Sequence, residues 1–283
     1  MKYEKLTPLA RPLDMGYRSN RNIVILMIFT FLLYSLINIF WNSSYEVANG
    51  LQVSLLVFVA WMLGRELDPD THLTAELTAI FTLIYSIFLF SNTKFELITG
   101  LLILVLMRMV TRVVGITFRA PDLLFVLLVG IYAGYTQSWY LLFAVGIAFI
   151  YEAVLHKQNP KAFIFSFTAL VLSVFFASKN HTEIGIVLAE SFVAIWGMIV
   201  FFITSVLIYK DIKAVGDVTD EKITPARMFA SRVIYLMIFL YAVLTTQADE
   251  IYTHLAIWMP LWIFSFVNLF KKFIDTFAES KNK

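Results

Sequence analysis

Glu66, Asp68, Asp70, His72 and Glu76 crowd into one short stretch of this chain, between the apolar run ending at Leu63 and the apolar run starting at Leu77. Carboxylates this close at a polar–apolar boundary can hold a divalent cation, and Mg²⁺ in particular takes one or two carboxylates together with phosphate oxygens. That makes Glu66, Asp68 and Asp70 metal-ligand candidates. The same residues also read as helix punctuation: Asp68 as the N-cap of the following helix, Pro69 as its first residue, and Asp70 as a complement to the helix dipole. Glu76 is expected one turn after His72 and inside the apolar segment, where an ionisable group is costly and faces protein or water.

A second constellation is basic. Arg108 and Arg112 are one helical turn apart, with Arg119 and then Asp122 following. Guanidinium groups projecting from one helix face suit phosphate or carboxylate, and they equally suit snorkelling to anionic headgroups. Arg108, Arg112, Arg119 and Lys210 are the substrate-binding candidates. The third constellation is the polar loop Tyr209 to Lys222, in which Asp211 and Asp217 extend the set of metal-ligand candidates. Glu190 should lie well inside the membrane, and with Glu76 it forms the pair of intramembrane carboxylates that a proton relay or cation site would use. His156, His181 and His254 stand singly near segment ends and read as interfacial.

Lys210-Asp211-Ile212-Lys213 followed by Gly216-Asp217 resembles the second acidic motif of the UbiA-type membrane prenyltransferases. These are helical proteins of similar size whose two acidic cytoplasmic loops hold Mg²⁺-diphosphate. The resemblance is confined to that loop and implies a Mg²⁺-bound diphosphate near Asp211 and Asp217. It departs at Ala214, a position often acidic in the family. It departs again at Arg65-Glu66-Leu67-Asp68-Pro69-Asp70, which lacks the Asn-Asp start and the aspartate spacing of the family's first motif.

The elements that must position these groups are helices in a membrane. Of the 283 residues, 60% are hydrophobic and 15% charged, against roughly half and roughly 25% in a soluble domain. Ten apolar segments can be drawn, at 23–41, 49–64, 73–90, 96–115, 121–136, 138–155, 161–178, 184–209, 226–245 and 252–270. Several fall short of the ~20 residues of a perpendicular span, which widens the expected count to eight to ten. The expected class is an all-α, polytopic membrane bundle over 23–270, with a cytoplasmic segment 1–22 and a cytoplasmic tail 271–283. Ile23 to Trp41 is too long for the ~7–15-residue core of a signal peptide, and no small-residue cleavage site follows it.

Positive charge orients the drawing. With the N-terminus inside, all of the 22 basic residues except Lys94 and Lys179 fall on the cytoplasmic side, as the positive-inside rule requires. Both termini are then cytoplasmic, in the inner membrane. Asp68-Pro69, Ala120-Pro121, Asn159-Pro160 and Thr224-Pro225 each precede a segment leaving that side, where Pro fits the first helical turn.

Several chemistries are excluded. The chain has no cysteine, hence no disulfide, thiolate metal site or thiol nucleophile. It has no glycine-rich phosphate loop, no His-Glu-x-x-His pair and no Gly-x-Ser-x-Gly elbow. Its basic residues are explained by topology, without nucleic acid. Three classes remain: an enzyme binding or processing a phosphorylated lipid or isoprenoid with a divalent cation such as Mg²⁺, an ion-coupled transporter using Glu76 and Glu190, and a structural or assembly subunit. The expected partners are the bilayer and a phosphorylated lipid or small anion.

Overall fold

The computed structural model describes residues 8–9, 13–41, 47–88, 97–155, 159–179, 196–197, 199–201, 203–204, 212–217, 221–245 and 255–281. Among these the chain is helical apart from turns and one isolated antiparallel bridge between Val215 and Lys222. The helices are α1 (Arg18–Trp41), α2 (Val47–Leu67), α3 (Leu73–Phe88), α4 (Leu97–Thr111), α5 (Ala120–Thr136), α6 (Trp139–Leu155), α7 (Lys161–Lys179), α8 (Pro225–Thr245) and α9 (Leu255–Lys281). Each apolar segment drawn from the sequence overlaps one of these, although α4 ends at Thr111 and α9 continues past 270 to Lys281, into the stretch drawn as a tail; 184–209 is described only at its helical residues between 196 and 204.

Four stretches are long and apolar enough to cross a membrane: Arg18–Ile37, Ala48–Leu67, Lys161–Lys179 and Pro225–Ala242. Helices α3, α4, α5 and α6 are apolar but shorter. On α7, Ile164, Phe167 and Val174 are 65 to 71% exposed, and an apolar face of this kind marks a site of contact with protein or membrane.

The chain divides into two compact units. One comprises Pro12–Gly100 and Asp249–Lys283. Here α2 packs against α1, α3 and α9, and Met259 of α9 lies on the buried pair Leu56 and Tyr85. Close approach of α2 and α3 depends on Gly64, where an added Cβ would stand 3.0 Å from the Ala75 Cα and 3.0 Å from Thr78 Oγ1. Small residues at such a contact let backbones meet and gain dispersion energy where no water is displaced. The start of α1 is pinned to the end of α2 by polar contacts. Trp61 Nε1 donates to Ser19 Oγ at 3.3 Å, and Arg65 Nη1 donates to Asn20 Oδ1 at 2.7 Å while its guanidinium lies 5.5 Å from the Trp61 ring centroid.

The other unit comprises Met1–Arg11 and Leu101–Ala248. Helix α6 contacts α5, α7 and α8. Its Gly146 allows Leu170 of α7 to come so close that an added Cβ would stand 2.7 Å from Leu170 Cδ2, and Ser166 Oγ donates to the Gly146 carbonyl at 2.9 Å. The segments 112–119, 212–217 and 221–224 meet in this unit. Ala214 and Ile223 belong to a short hairpin, and the Asp217 N–H donates to the Val113 carbonyl at 2.9 Å. Val113, Ile212, Ile223 and Met228 form a small apolar core beneath it.

One reading of local structure changes. Pro69 is not the first residue of a helix: Pro69 and Asp70 form a turn, and α3 begins at Leu73. The reason is that both Thr71 Oγ1 and Thr74 Oγ1 donate to Asp68 Oδ2 at 2.7 Å, which folds the connection around the Asp68 carboxylate. Glu76 stands one turn after His72, its N–H donating to the His72 carbonyl at 3.0 Å, and is half-buried in the first turn of the apolar helix α3. There its charge complements the helix dipole. Pro225, by contrast, does open its helix, with the Thr224 carbonyl accepting from the Arg227 and Met228 N–H groups.

Candidate functional site

The end of α4 carries an unusual backbone. Arg112 has φ of +54°, the one non-glycine residue with positive φ among those described, and Gly115 follows at +83°. A left-handed residue commonly terminates a helix, but glycine normally fills that place because a Cβ costs about 1–2 kcal/mol there. Strain of this kind persists only where the surroundings hold it. What holds Arg112 is Glu152.

Glu152 lies in the last turn of α6 and is fully buried. Arg112 donates from Nε to Glu152 Oε2 at 3.3 Å and from Nη2 to Oε1, a two-point grip. A second guanidinium shares the carboxylate, with Arg227 Nη1 3.8 Å from Oε2. Arg227 also donates from Nη1 to the Val110 carbonyl at 3.1 Å and from Nη2 to the Leu155 carbonyl at 2.9 Å. These are terminal carbonyls of α4 and α6, which lack intrahelical partners and attract cations. The first turn of α8 therefore fastens the ends of two other helices. Two cations share the one buried carboxylate, and the exposed Glu221 carboxylate also acts on Arg227.

The same end gathers other polar groups. Asn159 Nδ2 donates to the Phe118 carbonyl at 2.9 Å, tying the entry of α7 to the entry of α5. At α5 the Asp122 carboxylate accepts the Arg119 N–H at 3.0 Å, with Pro121 in the first turn. Arg119 and Lys213 are exposed here, as is Asp217. Arg108 is buried and donates from Nη1 to the Leu9 carbonyl at 3.1 Å. The chain matches no known family model, and no curated protein and no solved structure resembles it detectably.

The residues singled out from the sequence thus separate into groups. Arg108, Arg112, Arg119 and Asp217 lie in one unit; Glu66, Asp68, Asp70 and Glu76 lie in the other. Glu66 and Asp68 are buried, whereas Asp70 is exposed. Lys210, Asp211 and Glu190 lie outside the described residues, as do His156, His181 and His254. Among the described residues, no three His, Asp or Glu side chains come together as a metal-binding group. Glu152 and Arg227 were not picked out as site residues from the sequence. Glu152 had a signal, being the lone charged residue of Trp139–Leu155, and an ionisable group in an apolar helix is a site candidate by default.

Proposed function

We propose that the protein is a multi-pass membrane protein whose arginine-rich end binds the phosphate-bearing headgroup of an anionic lipid or isoprenoid. The observation that carries this reading is the sharing of the buried Glu152 carboxylate by Arg112 and Arg227. The buried carboxylate by itself would balance one cation; the second guanidinium, Arg227, is answered by the exposed Glu221 at the protein surface. Exposed Arg119, Lys161, Lys213 and Lys222 outnumber the remaining carboxylates there, exposed Asp217 and buried Asp122. Arginine is suited to phosphate by its planar, multiply donating fork.

Membrane insertion is supported by the four long apolar helices and by the exposed aromatic and branched side chains of α7. The asymmetry of the 22 basic residues favours ten spans with both termini cytoplasmic. On that drawing the connections 112–119 and 212–224 face the cytoplasm of an inner membrane. A divalent cation enters this reading only through Asp211 and Asp217, the pair on which the resemblance in the 209–222 loop rests.

The test is binding of defined lipids to the purified protein in detergent, followed by thermal melting. A polyisoprenyl phosphate or phosphatidic acid should raise the melting temperature over that in phosphatidylcholine, and Arg119→Ala with Lys213→Ala should remove most of the difference. Equal melting in neutral and phosphate-bearing lipid would refute the reading.

A further inference from the structure

Helix α9 is covered along its first half and bare from Leu269 to Phe277. Trp258, Leu261, Phe264 and Val267 are buried, and Met259 lies on Leu56 and Tyr85. Asn268 is the last buried side chain of the helix among the described residues, and every residue from Leu269 to Phe277 is exposed. The bare stretch has two faces. At about 100° per residue, Phe266, Leu269, Phe270, Phe273, Ile274 and Phe277 fall within one arc of about 140°. Within it Phe266 stacks on Phe270 and Phe273 meets Phe277, with ring centroids 6.1 and 4.5 Å apart. Asp275 lies opposite the middle of the arc. Lys271 and Lys272 stand one on each side of it, about 60° beyond Ile274 and about 60° beyond Leu269, and both are exposed.

The six apolar side chains of the arc are 44 to 66% exposed, and a contiguous apolar surface of this kind marks a place of contact. Charge selects the occupant. A second copy docking through the same arc would bring Lys271 and Lys272 of both chains to the rims of the contact. Asp275, the lone acid of residues 266–277, is on the far face and cannot answer them, so like charges would oppose the pairing. An anionic bilayer surface fits the same pattern. The arc enters the boundary between headgroups and acyl chains, the two lysines extend their ammonium groups to phosphates on either side, and Asp275 faces water. Length agrees with this placement. The 27 residues of α9 span ~40 Å at 1.5 Å per residue, against a hydrocarbon core of ~30 Å. The helix therefore overruns the core, and when it is inclined its end lies at headgroup depth.

We propose that residues 266–277 of α9 are an amphipathic docking surface for an anionic lipid leaflet, with the phenylalanine arc as the buried face and Lys271 and Lys272 as the headgroup contacts. The surface rests on the reading of the protein as a membrane protein. It does not rest on phosphate binding at Arg112, Glu152 and Arg227, which belong to the other unit.

The chain has no cysteine, so a single introduced one carries an environment-sensitive dye to a chosen place. Full-length Phe273→Cys, in the arc, and Asp275→Cys, opposite it, are labelled and placed in lipid nanodiscs of phosphatidylcholine alone or mixed with phosphatidylglycerol. In the mixed discs the dye at 273 should emit at shorter wavelength and be shielded from acrylamide, while the dye at 275 stays open to it. Adding Lys271→Gln and Lys272→Gln to the Phe273→Cys chain should expose its dye again, with docking weakened about fivefold for each lysine. Equal quenching at 273 and 275 in the mixed discs would overturn the proposal, since the arc would then stand in water. Shielding at 273 as strong in phosphatidylcholine alone would overturn recognition of anionic lipid. Shielding that persists in detergent, with energy transfer between differently labelled copies, would assign the arc to a second copy and overturn the lipid surface. Protein that fails to co-elute with the discs would refute the membrane reading and this surface with it, whereas the other failures leave the membrane reading standing.

Discussion

Arg112 grips Glu152 through two nitrogens from a backbone conformation that arginine rarely adopts, with φ of +54°. The pairing and the strain belong together. Turning the backbone left-handed at the end of α4 carries the guanidinium into the interior, and the buried carboxylate holds it there. Breaking a buried pair by removing one partner costs about 3–5 kcal/mol, far more than the pair contributes relative to an apolar replacement.

Glu152→Ala should therefore be among the most damaging single changes in the chain, because it leaves two buried guanidiniums facing each other. Arg112→Ala should cost less, since Arg227 remains beside the carboxylate. Denaturant or thermal unfolding in one detergent would rank them, and a milder loss in Glu152→Ala than in Arg112→Ala would show that the carboxylate is not the centre of the cluster.

The backbone at residue 112 can be separated from its charge. Arg112→Gly and Arg112→Ala both lose the grip on Glu152, but only glycine accepts a positive φ without penalty. The glycine variant should be the more stable by about 1 kcal/mol. Equal stability would imply that the left-handed conformation relaxes once the guanidinium is gone.

Asp68 accepts two hydroxyls, from Thr71 and Thr74. Asp68→Ala abolishes both bonds and should lose about 1.5–3 kcal/mol, the range for hydrogen bonds to a charged group. Asp68→Asn retains a carbonyl oxygen at that place and should lose less. Unfolding measurements on the two variants decide it; an alanine variant as stable as wild type would remove Asp68 from the organisation of the α2–α3 connection.

At Gly64 the obstacle is backbone. An added methyl meets the Ala75 Cα at 3.0 Å, which cannot rotate away as a side-chain end can. Gly64→Ala should force α2 and α3 apart and destabilise by about 1–3 kcal/mol, as overpacking does. A neutral or stabilising result in a melting assay would mean that the two helices separate freely there.

Topology has its own test. A reporter fused after Lys283 should read cytoplasmic, and one inserted at Asn180 external. An external signal at Lys283 would change the number of spans by an odd number.

Much of this architecture was legible along the chain because a helix in an apolar setting is a local object. Apolar runs such as 23–41 and 161–178 announce themselves through length and composition alone, and α1 and α7 lie where those runs do. The Thr224-Pro225 start is equally local, since proline fixes φ and lacks the N–H that a first turn leaves unused. Pro69 misled because the same signal was outweighed by side chains: Thr71 and Thr74 fold back on Asp68 and delay the helix to Leu73.

Tertiary structure decided which charges meet. Arg112, Glu152 and Arg227 are far apart in sequence and belong to α4's exit, α6's last turn and α8's first turn, and no periodicity links them. Their meeting depends on which helix ends stand together, a matter of packing through small residues such as Gly146 against Leu170. Sequence spacing instead drew attention to Glu66, Asp70 and Asp217, of which Asp70 and Asp217 are exposed. Neighbouring charges in a loop are conspicuous in a sequence, whereas a lone buried carboxylate gains its meaning only from the cations that other helices bring to it.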